Sequence, residues 1–266
     1  MMNKVRNLSI SNPEVRHLRI LVLGPVGVGK SSFINSIDSI FQGRMAQAAL
    51  ADALSSASFT KMFNSNKIKA GNAEKFLPFI INDIMGLENT DAAGAHVEDL
   101  KMALEGRLKD GYTFNPECPL KEGDAYYNKS PTLADKVHCL VSVLPADRIG
   151  LMGDQHVHNV ITKLQDIREK ATQLRIPQVI LMTNVDVACP EIQKDVKMIY
   201  RDKKIKEKMQ ECSNKLGVPM NCIFPVKNYH EEIELNDDVD ILLLSALSNI
   251  LNFANDHVAE HLNKKK

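Results

Sequence analysis

"GPVGVGKSS", Gly24 to Ser32, lies between the apolar run "HLRILVL" and the pattern "FINSIDSIF", and its reading decides the fold. Gly24, Gly29, Lys30 and Ser31 satisfy G-x-x-x-x-G-K-[ST] where that spacing has a mechanism, between a buried strand and a helix start. Glycines in such a turn let backbone N–H groups converge on phosphate oxygens, and the helix N-terminus adds the positive end of its dipole. Val26, Gly27, Val28 and Ser32 complete the expected phosphate cradle. In it, Lys30 reaches the β- and γ-phosphates and Ser31 ligates Mg²⁺.

Outward from this turn, short apolar runs alternate with helical patterns, the sign of a parallel sheet covered on both faces. The expected strands are Leu18 to Leu23, Phe76 to Asp83, Val137 to Leu144, Gln178 to Asn184 and Asn221 to Val226. Helices are expected over Lys30 to Phe41, His96 to Lys109, Asn159 to Leu174, a lysine-rich stretch from Glu191 to Leu216, and Val239 to Leu262. Polar residues from Gln42 to Ala70 read as a loop followed by an edge strand. "GYTFNPECPLKEGDAYYNKSPTLAD", residues 111–135, reads as a long excursion from the sheet. The fold class is α/β, a P-loop NTPase fold of the GTPase type. Residues 1–16 read as an N-terminal extension, 17–262 as one nucleotide-binding domain and 263–266 as a basic tail.

Later strand ends carry the rest of the chemistry. Asp83-Ile84-Met85-Gly86 has the form D-x-x-G, in which Asp83 holds Mg²⁺ and the Gly86 N–H meets the γ-phosphate. Thr183-Asn184-Val185-Asp186 is close to [NT]-K-x-D, and Asp186 can accept both N1–H and the 2-amino group of guanine. Asn184 stands where a lysine stem lies along the base, so the grip weakens while the base read stays the same. Val226 and Lys227, continuing into Asn228 and Tyr229, occupy the place of the loop that meets guanine O6; Ser245 to Leu247, "SAL", is a decoy inside a helix. Thr60 is the candidate switch threonine on Mg²⁺. Leu87 stands where many GTPases hold a water-orienting glutamine and offers no hydrogen bond. Val26 crowds the γ-phosphate, and no arginine in the switch region stands out as an internal finger, with Arg44 left open. Slow intrinsic hydrolysis follows, unless a partner or second protomer supplies the missing group.

The composition narrows the class. With 33 Lys+Arg against 33 Asp+Glu, the 266-residue chain makes no strong electrostatic bid for nucleic acid or anionic membrane. Its 44% hydrophobic and 25% charged content suits a globular domain. Five cysteines without a CxxC pair point to a reduced, cytoplasmic compartment, and no lipidation signal or membrane-length apolar run gives a stable membrane anchor.

Taken together, "GPVGVGKSSFINSIDSIF", "NDIMGLE", "TNVDVACPE" and "IFPVKNY" resemble the GTP-binding domain of the interferon-induced protein 44 and 44-like family, over about Leu18 to Leu262. The resemblance implies a cytoplasmic, interferon-inducible protein of antiviral defence that binds GTP/GDP with Mg²⁺. Its departure from the family pattern is Asn184, where lysine is usual. Expected partners are guanine nucleotide and unidentified proteins, with a nucleotide-dependent homodimer as one arrangement. Two alternatives stay open: a non-hydrolysing scaffold, and an adenine nucleotide phosphotransferase on the same P-loop. His257, Glu260 and His261 also fit H-x-x-E-H, but a solvated terminal helix is the better reading.

Overall fold

The computed structural model describes residues 1–46, 62–71, 75–84, 86–89, 94–153 and 155–263. In chain order its elements are α1 (Met2–Arg6), β1 (Leu18–Leu23), α2 (Lys30–Gln42), β2 (Asn64–Lys69), β3 (Phe76–Asp83), α3 (Val97–Leu104) and β4 (Cys139–Pro145). These are followed by α4 (Gln155–Gln173), β5 (Gln178–Thr183), α5 (Val185–Ala188), α6 (Pro190–Lys194), α7 (Lys203–Leu216), β6 (Ile223–Pro225) and α8 (Asp237–Asn263).

The strands form one sheet in the order β2-β3-β1-β4-β5-β6, all neighbours parallel except the β2–β3 pair. All seven residues of β4 are buried, which is why the central strands read as continuous apolar runs rather than alternating ones. From β1 the chain moves to β3 on one side; from β3 it returns past β1 to β4, β5 and β6. Right-handed crossovers therefore place α2 on one face and α3, α4 and α7 on the other, and α8 comes back to pack on α2, β1 and β4. The reversal opens a crevice between the carboxyl ends of β1 and β4, where open α/β sheets bind ligands. The turn from Gly24 to Ser32 leaves β1 at that crevice.

Two expected helices end early, for reasons written in their caps. The helix expected from His96 to Lys109 stops at Leu104. Gly106 takes φ 77°, and Arg107 N–H and Gly106 N–H close back onto the Met102 and Ala103 carbonyls at 2.9 and 3.1 Å, a Schellman arrangement. The lysine-rich helix expected from Glu191 to Leu216 is divided into α6, a 3-10 turn over Val196–Tyr200, and α7. Asp195 and Asp202 cause the breaks: each takes an extended backbone, and their carboxylates accept from Lys197 N–H and Ile205 N–H, both at 3.0 Å. The helix expected from Asn159 already begins at Gln155. Asn221 and Cys222 lie in a 3-10 turn, leaving β6 only three residues long.

The long excursion contains no α-helix or β-strand among residues 105–132, yet it is anchored. Asp99, fully buried on α3, accepts from Tyr112 Oη–H at 2.9 Å and Leu120 N–H at 2.8 Å. Tyr112 meets Phe114 edge to face at 5.4 Å, a geometry that aromatic quadrupoles favour. At the N-terminus, Val5 and Val15 join the main core, and Asn12 Nδ2 donates to the Val258 carbonyl at 3.0 Å, tying residues 1–16 to α8. Among the described residues no helix is long and apolar enough to cross a membrane.

Candidate functional site

The turn after β1 is shaped by what its glycines allow. A Cβ on Gly24 would stand 2.3 Å from the Val143 carbonyl oxygen of β4, so only glycine lets β1 exit this close to its neighbour. Gly27 and Gly29 take φ 71° and 90°, values that glycine adopts without a Cβ penalty. Gly29 then caps α2, so the helix begins at Lys30 and its first N–H groups face the turn.

Lys30, 7% exposed, folds across the turn: its Nζ donates to the Gly24 and Pro25 carbonyls at 3.2 and 2.8 Å. The ammonium is thereby held over the loop rather than extended into solvent. Beside it, Ser31 Oγ–H donates to Asp83 Oδ2 at 2.7 Å, joining residues 52 apart in sequence. A buried serine hydroxyl on the first turn of α2 and an aspartate at the end of β3 form the oxygen pair that Mg²⁺ uses in P-loop proteins. The donor set fits that ion. Thr60, the expected third ligand, lies outside the described residues, as does Met85.

The D-x-x-G segment is packed directly on the phosphate turn. Leu87 N–H donates to the Gly24 carbonyl at 3.0 Å, and Pro25 and Leu87 form an isolated parallel bridge. A Cβ on Gly86 would come within 3.0 Å of Val26 backbone atoms, so the glycine is needed for this approach. Leu87 itself is 1% exposed and belongs to the hydrophobic core. Helix α4 holds the following residues: Lys163 Nζ donates to the Glu88 carbonyl at 3.1 Å and Asn159 Nδ2 to the Asn89 carbonyl at 2.9 Å. Sequence reasoning missed both; a lysine and an asparagine on a solvated helix carry no signal of this role. Arg44 bonds Met45 and Gln42 locally.

The later loops meet the turn through hydrogen bonds. Thr183 Oγ1–H donates to the Val28 carbonyl at 2.7 Å, and Asn228 Nδ2 to the Gly29 carbonyl at 3.0 Å. Asn184 takes φ 55° and caps α5, which holds Asp186 in its first turn. Its side chain points to Asp147 Oδ1 at 3.4 Å, a partner in "LPADR" after β4 that sequence reasoning did not single out. Val226 N–H bonds the Met182 carbonyl at 2.8 Å, and Tyr229 N–H bonds Ser36 Oγ on α2 at 3.0 Å. Lys227 pairs with Glu232 at 2.5 Å. Burial opposes ionisation of Glu232, but the His230 N–H and the Lys227 ammonium outweigh it and bring its pKa to about 2. Asn228 Oδ1, beside the turn, is buried without a hydrogen-bond partner, and such an orphaned acceptor costs about 1–3 kcal/mol until a donor meets it. Ser32 is half-buried on the first turn of α2.

No protein-family model matches the chain. Interferon-induced protein 44 of Homo sapiens is 35% identical over 246 residues, covering 92% of this chain and 54% of that protein. The chain is homologous to interferon-induced protein 44 along most of its length. The Pan troglodytes interferon-induced protein 44 gives the same identity and coverage, 35%, 92% and 54%. Human interferon-induced protein 44-like is 32% identical, over 92% of this chain and 53% of its own length. The chain thus spans about half the length of these interferon-induced relatives. Among solved structures, a probable GTP-binding protein engB aligns at 12% identity and TM-score 0.45, over 88% of this chain and 98% of its own. Aquifex aeolicus Era bound to GDP.AlF4- aligns at 12% identity and TM-score 0.40, over 90% and 57%. The fold is carried by the strand order and the Gly24 to Ser32 turn, not by these distant likenesses.

Among the described residues the H-x-x-E-H match of His257, Glu260 and His261, a spacing that can hold zinc, meets no third ligand. His257 and His261 do stack at 4.8 Å, but His261 Nδ1 lies 2.9 Å from the His257 carbonyl, within its own helix. Among the described residues the group of three metal-ligating side chains within reach of one another is Cys189, Glu191 and Asp202. There the Cys189 thiol donates to the carboxylates at 3.1 and 3.4 Å.

Proposed function

We propose that this protein binds guanine nucleotide with Mg²⁺ in the Gly24 to Ser32 turn and, as an interferon-inducible protein of antiviral defence in the cytoplasm, hydrolyses GTP slowly or only with a partner. The observation that carries the reading is the 2.7 Å bond between Ser31 Oγ and Asp83 Oδ2, with Lys30 Nζ tethered beside it. Bound Mg²⁺ would supply charge neutralisation on the phosphate oxygens. Lys30 would add a fixed positive charge, the N–H groups at the start of α2 would hold phosphate oxygens, and Thr60 would complete the metal shell. Asp186 would read the guanine edge, while Asn184, turned toward Asp147, would contribute little to stacking.

Calorimetry with GDP, a non-hydrolysable GTP analogue and ATP tests this directly. Guanine nucleotides should bind at least about tenfold more tightly than ATP, and Lys30→Ala and Asp186→Ala should each cost about tenfold or more, roughly 1.4 kcal/mol. Equal binding of ATP, or indifference to Asp186→Ala, refutes the base assignment.

Burial of Leu87 favours a second reading, a scaffold that binds nucleotide without turnover. A side chain 1% exposed in the core neither orients water nor reaches it. Single-turnover hydrolysis separates the two: a rate that rises with protein concentration or an added partner supports a GTPase, and a flat zero supports the scaffold.

A further inference from the structure

At the end of β1 away from the phosphate turn, the sheet does not pack fully against the chain that follows α3. A cleft of about 190 Å³ remains, with Arg19, Ser65, Asn82, Lys109, Asp110 and Asp135 in its walls, the Lys109 ammonium being spent on the Ala125 carbonyl at 2.9 Å. Arg19 is half-buried and spends one side-chain hydrogen bond, Nε–H to the Ala134 carbonyl at 2.7 Å. Among the described residues its two Nη groups have no acceptor, although their fork geometry matches a carboxylate in two parallel bonds. Burial lowers the Arg19 pKa while Asp135 and Asp110 pull it upward, so these carboxylates act through space without closing an ion pair. Asp135 is occupied locally, accepting from Thr132 N–H and Oγ1–H at 2.8 and 2.7 Å. The Asp110 carboxylate makes no hydrogen bond or ion pair among the described residues.

One cleft therefore holds an unanswered guanidinium fork and an unanswered carboxylate. A plain anion there is repelled by Asp110 and Asp135, and a plain cation by Arg19 and Lys109. We propose that the cleft binds a small zwitterion of the α-amino-acid class, its carboxylate on the Arg19 fork and its ammonium toward Asp110. Asn82 and Ser65, joined by a 2.9 Å bond, line the sheet side. The ligand lies between the sheet and the segment leaving α3, separate from the nucleotide turn.

The test titrates the full chain with each standard L-amino acid, and with acetate and methylammonium as half-ligands, following melting temperature and ¹H–¹⁵N spectra. At a concentration roughly tenfold above its Kd, a bound amino acid should raise the melting temperature by about 3 °C. It should also shift amides at Arg19 and Asp110, while neither half-ligand does so at equal concentration. Arg19→Gln and Asp110→Asn should each abolish the effect. Should Arg19→Gln fail to fold, Asp110→Asn decides alone, because Asp110 is exposed at the rim. The proposal is overturned if no amino acid acts at roughly 10 mM, if a folded variant keeps the response, or if acetate reproduces it.

Discussion

Gly24 is the residue on which the rest of the site hangs. Its missing side chain is what lets β1 turn away 2.3 Å, in Cβ terms, from the Val143 carbonyl. Gly24→Ala should therefore cost on the order of 1–3 kcal/mol, since a backbone oxygen cannot move aside as a side chain can. Urea unfolding reads that loss directly. Leu87→Gln asks a different question: it places an amide in a position 1% exposed, which should destabilise by about 1–3 kcal/mol without a compensating bond. Its single-turnover rate should stay within about tenfold of the parent; a far larger gain means that this side chain swings out to the phosphate after all. Gly24, Lys30, Ser31 and Asp83 were legible in the sequence because the motif fixes their local geometry. Asp147, Lys163 and Asn159 were not, since their partners are set by how separate elements dock. Asn184 was read as a departure from the usual lysine, and the neighbour it turns to could not be read from spacing.

Among the elements, strands were the most legible, because burial on both faces leaves a plain apolar run such as "LRILVL". Helix ends were less so. The lysine-rich stretch kept its period through Ile205, Met209, Cys212 and Leu216, all buried on α7, while Asp195 and Asp202 broke the backbone upstream. An aspartate reads as helix surface or as cap depending on which N–H it reaches, and periodicity alone does not decide. The excursion over residues 111–135 was legible as irregular, but not its anchor on Asp99. Tyr112→Phe removes one of the two donors that this buried carboxylate accepts from. The expected cost is about 1–3 kcal/mol, with faster amide exchange at Leu120 as the local sign that the excursion has loosened from α3.

For the molecule as a whole, acid sensitivity follows from His138. Its Nδ1 accepts from Arg19 N–H at 2.8 Å, and its Nε2 lies 2.9 Å from the Leu133 carbonyl, so the ring is used neutral on both sides. Burial lowers its pKa to about 4. Because the unfolded chain protonates near 6.5, stability is fully present above that value and falls as pH drops toward 4, by up to about 3 kcal/mol. Glu232, also depressed, loses its contribution only at lower pH, as its carboxyl protonates toward about 2. Denaturant melts between pH 7 and 4.5 should show the decline, and His138→Gln should flatten it.

Thr183 and Asn228 each donate to a carbonyl of the Gly24 to Ser32 turn, so hydrogen bonds tie the later loops to the turn and the two do not relax separately. Fragments would then help one another: guanosine and pyrophosphate, supplied as unlinked pieces, should each tighten the other's hold, because the first to arrive stiffens the turn into which the second must settle.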